Sequence, residues 1–324
     1  MIGLSVSTTT EYESTSEDND MLSSGYSTMW WEMGKYDNYE NATNYMYKSK
    51  QYSLTTKDFS FYDDVDFFRE IEMENTPHYP QGICFTDEFL FVTAYAEQKD
   101  ALGKIFVYDA NTGEYLVTLA MDAKSHMGGI AYDGENLWIC NSSKMALERI
   151  SYEMIIIAVS FHQGRTVDIQ NMVELYEVGI TPSTVTYYDG KLWVAAHTKY
   201  TSSKMGAYVL QEEADKLKQV ATYKIPSKVQ GVAFSEKGEV YFSSSYGRKN
   251  SSHIRKYDSL EMLKKGLQKY ADIIELPPCS EGICLKNERL YVVFESAGEK
   301  YAEGTDGYGK CSTPLDKILI ISET

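Results

Sequence analysis

In the stretch SEGICLKNERLYVVFES, residues 280–296, two glutamates bracket two apolar runs joined by a polar turn. Such a segment reads as a β-hairpin. Its closure sets Glu281 and Glu295 on adjacent strands at the same end. Two carboxylates placed that way could hold Ca²⁺ or divide the work of a general acid and base. Far upstream, PQGICFTDEFLFVTAY (80–95) has the same pattern, with Gln81 and Tyr95 in the two places. Other chemistry-bearing residues are sparse. His197 follows LWVAA at the end of an apolar run, while His78 and His126 precede such runs. Three histidines on one face would suit zinc or copper, although their spacing is loose. A lone histidine at a strand end is more often a hydrogen-bonded structural residue. No G-x-S-x-G or H-E-x-x-H occurs. GYGKCS (307–312) lacks the helix that a phosphate cradle needs, and TDGYG (305–309) has one carboxylate, too few for a Ca²⁺ loop.

The two matching stretches belong to a series of five. QGICFTDEFLFV (81–92), GGIAYDGENLWI (128–139), STVTYYDGKLWV (183–194), QGVAFSEKGEVYF (230–242) and EGICLKNERLYVV (281–293) share one layout. The series is marked by Gly82, Gly129, Thr184, Gly231 and Gly282, at intervals of 47, 55, 47 and 51 residues. A period near 50 is the size of a four-stranded blade. Each copy opens with a hairpin rich in β-branched and aromatic residues, as strands buried on both faces require. Third strands follow at 104–109, 206–211, 253–258 and 317–322, and fourth strands at 114–121, 219–226 and 272–277. These patterns predict an all-β fold, a five-bladed β-propeller closed by an N-terminal strand and carrying a short helical insert.

The last copy ends after its third strand, which would leave a sheet edge open. The apolar segment DVDFFREIEM (64–73) is expected to supply the missing strand and close the ring. SLEMLKKGLQKYA (259–271) has helical spacing, with Asp258 as its expected cap. Residues 150–178 lengthen the second copy and are consistent with either helix or strand. Residues 1–57 read as a low-complexity leader, partly disordered, whose MWWEM (29–33) is apolar enough to pack on the propeller. Residues 58–324 form a single propeller domain.

In a propeller the innermost strands line a central channel, and ligands meet the face where first strands start and second strands end. The starts are Gln81, Gly128, Ser183, Gln230 and Glu281. The ends are Tyr95, Asn141, His197, Ser245 with Tyr246, and Glu295. The polar side chains among them, Gln81, Tyr95, Asn141, His197, Gln230, Tyr246, Glu281 and Glu295, form the expected ligand-binding set. The same groups could equally satisfy one another and plug the channel with water. Tyr246 and Arg248 stand in SSYGRKNSS (244–252), which reads as a solvated loop or a recognition surface.

The pattern GIA-x-DG-x-LW-V over residues 64–324 resembles bacterial β-propellers of the gluconolactonase-like and strictosidine-synthase-like class. LPPCSEGICLKNERLYVVFESAGEKY (276–301) is similar to the last blade of uncharacterised secreted propellers. Gluconolactonase-like relatives hold a divalent ion with a glutamate, asparagines and an aspartate. Glu281 and Asn141 match that set loosely, and a central aspartate is missing. The leading expectation is therefore a ligand-binding or protein-interaction module acting through the channel mouth, with no cofactor. A metal-dependent hydrolase of the lactonase type is the alternative, with Ca²⁺ as its ion.

Composition narrows the partners. The 324-residue chain has 47 acidic and 31 basic residues, a net charge of −16. That field repels phosphate backbones and anionic headgroups, so nucleic acid is not an expected partner. No apolar run is long enough to insert in a membrane. Five cysteines are too few for a disulfide scaffold. Cys84 and Cys284 read as small core residues. Cys279 and Cys311 lie in loops on one face of the last blade and are expected either to bridge in an oxidising compartment or to stay free thiols in the cytosol. MIGLSV has no basic n-region and reads as a plain start or as the remnant of a signal peptide. The expected setting is extracellular or the cell surface, with the cytoplasm as the alternative.

Overall fold

The computed structural model describes residues 78–98, 101–121, 125–315 and 317–323, with two further strands, Tyr26–Met29 and Arg69–Glu70. Five antiparallel blades follow the sequence repeats. Blade one is built on His78–Phe85, Phe89–Ala96, Gly103–Asp109 and Tyr115–Met121. Blade two has Ile130–Tyr132, Asn136–Asn141, Ala146–Ser151 and Glu174–Glu177. Blade three has Thr184–Tyr188, Lys191–Ala195, Ser203–Gln211 and Lys216–Ile225. Blade four has Val229–Phe234, Val240–Ser244, Ser252–Tyr257 and Asp272–Leu276. Blade five has Ser280–Lys286, Arg289–Phe294, Leu319–Glu323 and, outermost, Tyr26–Met29.

The closing strand is N-terminal but is not the expected one. Tyr26–Met29 pairs with Leu319–Glu323, Tyr26 opposite Glu323 and Met29 opposite Ile320. The segment 64–73 instead contributes Arg69–Glu70, which pairs with Thr166–Asp168. That strand lies parallel to Tyr115–Met121 and widens blade one to six strands. Two open edges competed for N-terminal partners, and the insert in the second copy created the second of them. Part of the segment read as a leader is thus a blade strand; the rest of 1–57, including 30–33 of MWWEM, lies outside the described residues.

The hairpin turns explain why the repeats fold locally. Asp189 and Gly190 both adopt positive φ between paired Tyr188 and Lys191, as a two-residue turn demands. Asn287 and Glu288 do the same between Lys286 and Arg289. The insert at 150–178 resolves into both helix and strand: α1 (Tyr152–Phe161), Thr166–Asp168, and the outer strand of blade two. Helix α2 (Leu260–Lys265) begins one residue later than expected, with Ser259 as its cap and no side-chain capping bond.

The inner strands pack on both sides. Phe89 and Phe91 face Leu137 and Ile139 of blade two, while Leu90 and Val92 face Tyr291 and Val293 of blade five. Corresponding buried clusters join blades two and three, three and four, and four and five. Burial on both faces accounts for the unbroken Leu-aromatic-Val runs, since neither side of such a strand meets water. Cys84 sits in one of these clusters, where burial pushes its thiol up to about 12; it is core and not a nucleophile. No helix among the described residues is long and apolar enough to cross a membrane.

Candidate functional site

The second strand of blade five ends at Phe294, and the third begins only at Leu319. The chain between them forms a 3₁₀ turn, Glu295–Ala297, and the short helix α3 (Glu299–Ala302). The Glu295 amide donates to Cys279 O at 2.9 Å, pinning the first residue of this cap to the start of the blade. Gly298 lies directly under the Tyr79 ring, so any Cβ there would collide with it.

The cap delivers Lys300 and Tyr301 to the inner hairpins. Lys300 Nζ lies 4.1 Å from the centre of the Tyr79 ring and 4.8 Å from those of Tyr95 and Tyr301. It donates to Tyr95 Oη at 2.5 Å, and Tyr95 donates onward to Glu295 Oε1 at 2.6 Å. His126 packs edge-on against Tyr95 at 4.7 Å between ring centres. The result is a tyrosine cage around one ammonium, with a carboxylate behind it.

Glu281 adjoins this cage and is only 3% exposed. Gln230 Nε2 of blade four donates to its Oε1 at 2.8 Å. Burial, followed by the charge of Glu295, pushes the Glu281 carboxyl well above the usual range, against the pull of the Gln230 bond. Burial lowers Lys300 from the ordinary lysine value and His126 from the ordinary histidine value, in both cases against the charge of Glu295. A carboxyl whose folded value is raised stabilises the fold fully below the unfolded value of about 4.5, and that stabilisation is lost as pH rises through the folded value. Glu281→Gln keeps the volume and the acceptor for Gln230 but removes the buried titrating group. It should therefore raise the melting temperature by about 2–4 °C at pH 7–8, with the gain vanishing as the pH falls below about 4.5. Melting curves across that range check it, and a loss at pH 8 would contradict it.

The structure thus brings together Glu281, Glu295, Tyr95 and Gln230. Gln81, whose Nε2 donates to Pro80 O, is tied to its own strand. Asn141 is fully buried, donating to Glu148 and accepting from Ser143 Oγ and the Lys144 amide, so it organises a turn of blade two. His197 Nδ1 lies 3.3 Å from Val229 O, and its amide donates to Ser183 Oγ. Tyr246 lies between Lys199 and Lys228 at the junction of blades three and four. His78 bonds Leu102 O. Among the described residues, no group of three or more His, Cys, Asp or Glu side chains is gathered to hold a metal ion, and the loose Glu281–Asn141 match forms no such group.

Cys279 and Cys311 do meet: the structure has them as free thiols hydrogen-bonded to each other. That bond and burial raise Cys279, while Cys311 is lowered chiefly by the same bond. Arg248, rather than waving in solvent, clamps the cap. Its Nη1 donates to Lys300 O (2.7 Å), Gly309 O (2.6 Å) and Asp306 Oδ1 (2.8 Å), and its Nη2 to Asp306 Oδ2. Tyr79, Lys300, Tyr301 and Asp306 escaped the motif reading. One signal could have revealed them: residues 295–318 separate the second and third strands of blade five, whereas only 142–145 do so in blade two.

No family model and no curated protein matches this chain. Among solved structures it is similar to the glutaminyl cyclase of Myxococcus xanthus, at 12% identity, covering 78% of this chain and 95% of that one with a TM-score of 0.44. It is also similar to the hydrazine synthase of Kuenenia stuttgartiensis, at 12% identity over 68% of this chain and 56% of that one, TM-score 0.38. A chain of the nidogen–laminin complex matches at 12% identity, 66% and 72% coverage and TM-score 0.41. The architecture itself defines the class, a five-bladed β-propeller.

Proposed function

We propose that this propeller is a binding module that takes a small molecule or protein partner at its channel mouth, and that it recognises a cationic amine. The observation that carries this reading is the environment of Lys300. Three tyrosine rings converge on its ammonium, and the Tyr95 hydroxyl links it to Glu295. A cage of this kind selects a cation over a neutral group of the same shape. Lys300 is its internal occupant, and a ligand amine would take its place when the cap shifts. An extracellular or cell-surface setting is part of the same proposal, supported by the meeting of Cys279 and Cys311, which an oxidising compartment would bridge.

Removing the occupant tests the cage. Lys300→Ala should lower the melting temperature by about 2–4 °C. Millimolar n-butylammonium should restore part of that loss in the variant and do little to the parent protein. Butanol, which lacks the charge, should restore nothing. Absence of a saturable, charge-dependent response in Lys300→Ala would overturn the reading. A hydrolase keeps one supporting observation, the buried Glu281 carboxyl, pushed upward by burial and by the charge of Glu295, which is the arrangement of an acid–base pair. Lactone hydrolysis abolished by Glu281→Gln would favour it.

A further inference from the structure

A cavity of about 680 Å³ opens at the junction of blades three and four, apart from the tyrosine cage. In a chain of net charge −16, its lining is opposite in sign. Lys228, Lys249 and Arg255 line it with His253, and no aspartate or glutamate does. Among the described residues none of the three cations has an acidic partner in an ion pair. Glu275, the cross-strand neighbour of His253, stays outside the lining.

The cavity is formed by fixed backbone. Lys228 adopts a left-handed φ of 64° in the link between the two blades. Its amide donates to Thr198 O and its carbonyl accepts from the Ser245 amide, so its position is held from both sides. Arg255 and His253 project from one face of the third strand of blade four, two residues apart. The remaining lining is rich in serine, and one of these hydroxyls is unsatisfied. Ser244 is 6% exposed, and its Oγ has no hydrogen-bond partner. A buried hydroxyl is ordinarily paired, and here the cavity is the direction from which a partner can come.

We infer that this cavity binds a tetrahedral oxyanion, the phosphate or sulfate ester of a small hydroxyl-rich molecule. Arginine forks onto such oxyanions, lysines supply point charge, and serine hydroxyls suit both the oxyanion and a sugar-like body. A concave cationic site also concentrates field where an exposed patch would be screened. The volume exceeds what a bare ion fills, which is why an ester is favoured over inorganic phosphate.

Titration calorimetry at low ionic strength tests this with glucose 6-phosphate, glucose 6-sulfate, inorganic phosphate, inorganic sulfate and glucose. At least one ester should bind saturably and more tightly than either inorganic ion, glucose should not bind, and the two ester arms distinguish phosphate from sulfate recognition. Lys249→Ala, on an exposed loop, and Arg255→Gln should each weaken binding about tenfold. Lys218→Ala, on the exposed outer strand of blade three, should leave it unchanged. Melting curves confirm that each variant is folded, and Lys249→Ala serves if Arg255→Gln is not. No saturable binding of any anion, or binding that Lys249→Ala leaves intact, would overturn the inference.

Discussion

Gly282→Val should abolish the closed ring, leaving the protein insoluble or melting about 6–12 °C lower. A Cβ at Gly282 would stand 2.5 Å from Gln81 O and 2.8 Å from Gly82 Cα, backbone atoms of the neighbouring inner strand that cannot rotate away. The same holds around the axis. Gly82 abuts Gly129, Gly129 abuts Thr184 and Val185, and Gly231 abuts Glu281 and Ile283. The four glycines that mark the sequence period are therefore points at which neighbouring inner strands touch backbone to backbone. Gly282 is the contact that joins the last blade to the first, so its loss acts on closure as well as local packing. Gly190→Ala is the control. It sits in a turn at φ 68° with nothing within 4 Å of its added carbon, and should cost only about 1 kcal/mol. Thermal unfolding and size-exclusion profiles of the two variants decide the matter; equal behaviour would refute the account.

Arg248→Ala should release the cap that carries Glu295, Lys300 and Tyr301. One guanidinium bonds two carbonyls and one carboxylate, and it stacks on Tyr301 at 4.4 Å. Lysine offers a single point charge and should not rescue it. We expect a loss of about 2–3 kcal/mol, with new proteolytic cleavage within residues 303–310. The pH dependence gives a second signature. Arg248 holds the Asp306 carboxyl down to about 2, below its usual 3.8. A depressed carboxyl stabilises the fold above its unfolded value, and that contribution is lost as pH falls through the folded value. The parent cap should thus loosen between about pH 4 and pH 2, and Arg248→Ala should lack that step. If Cys279 and Cys311 bridge under oxidising conditions, as proposed, the variant should resist cleavage better there than with reductant present. Unchanged proteolysis in Arg248→Ala would remove the clamp from the account.

The two glycine-led hairpins at 80–95 and 280–296 show how far local sequence reaches. Alternation, turn residues and a period near 50 come from interactions within one blade and between identical neighbours, so they recur in the sequence each time they recur in space. That is why the five blades and their inner hairpins were legible, while helix α2 was legible from its own helical spacing of apolar residues. The meeting of Glu281, Glu295, Tyr95 and Gln230 was legible from the repeat, since the repeat itself locates their positions.

What occurs once has no such signal. The Tyr26–Met29 strand closes blade five and Arg69–Glu70 extends blade one because two sheet edges, formed by distant parts of the chain, needed partners. Lys300 reaches the tyrosines, and Arg248 reaches Asp306, through a cap whose path depends on what it packs against. The sequence by itself determined the repeating frame, the acidic character and the ends of the inner strands. Only the tertiary structure decided which side chains meet there, because contacts between non-repeated segments depend on where the chain is in space and leave no periodic trace along it.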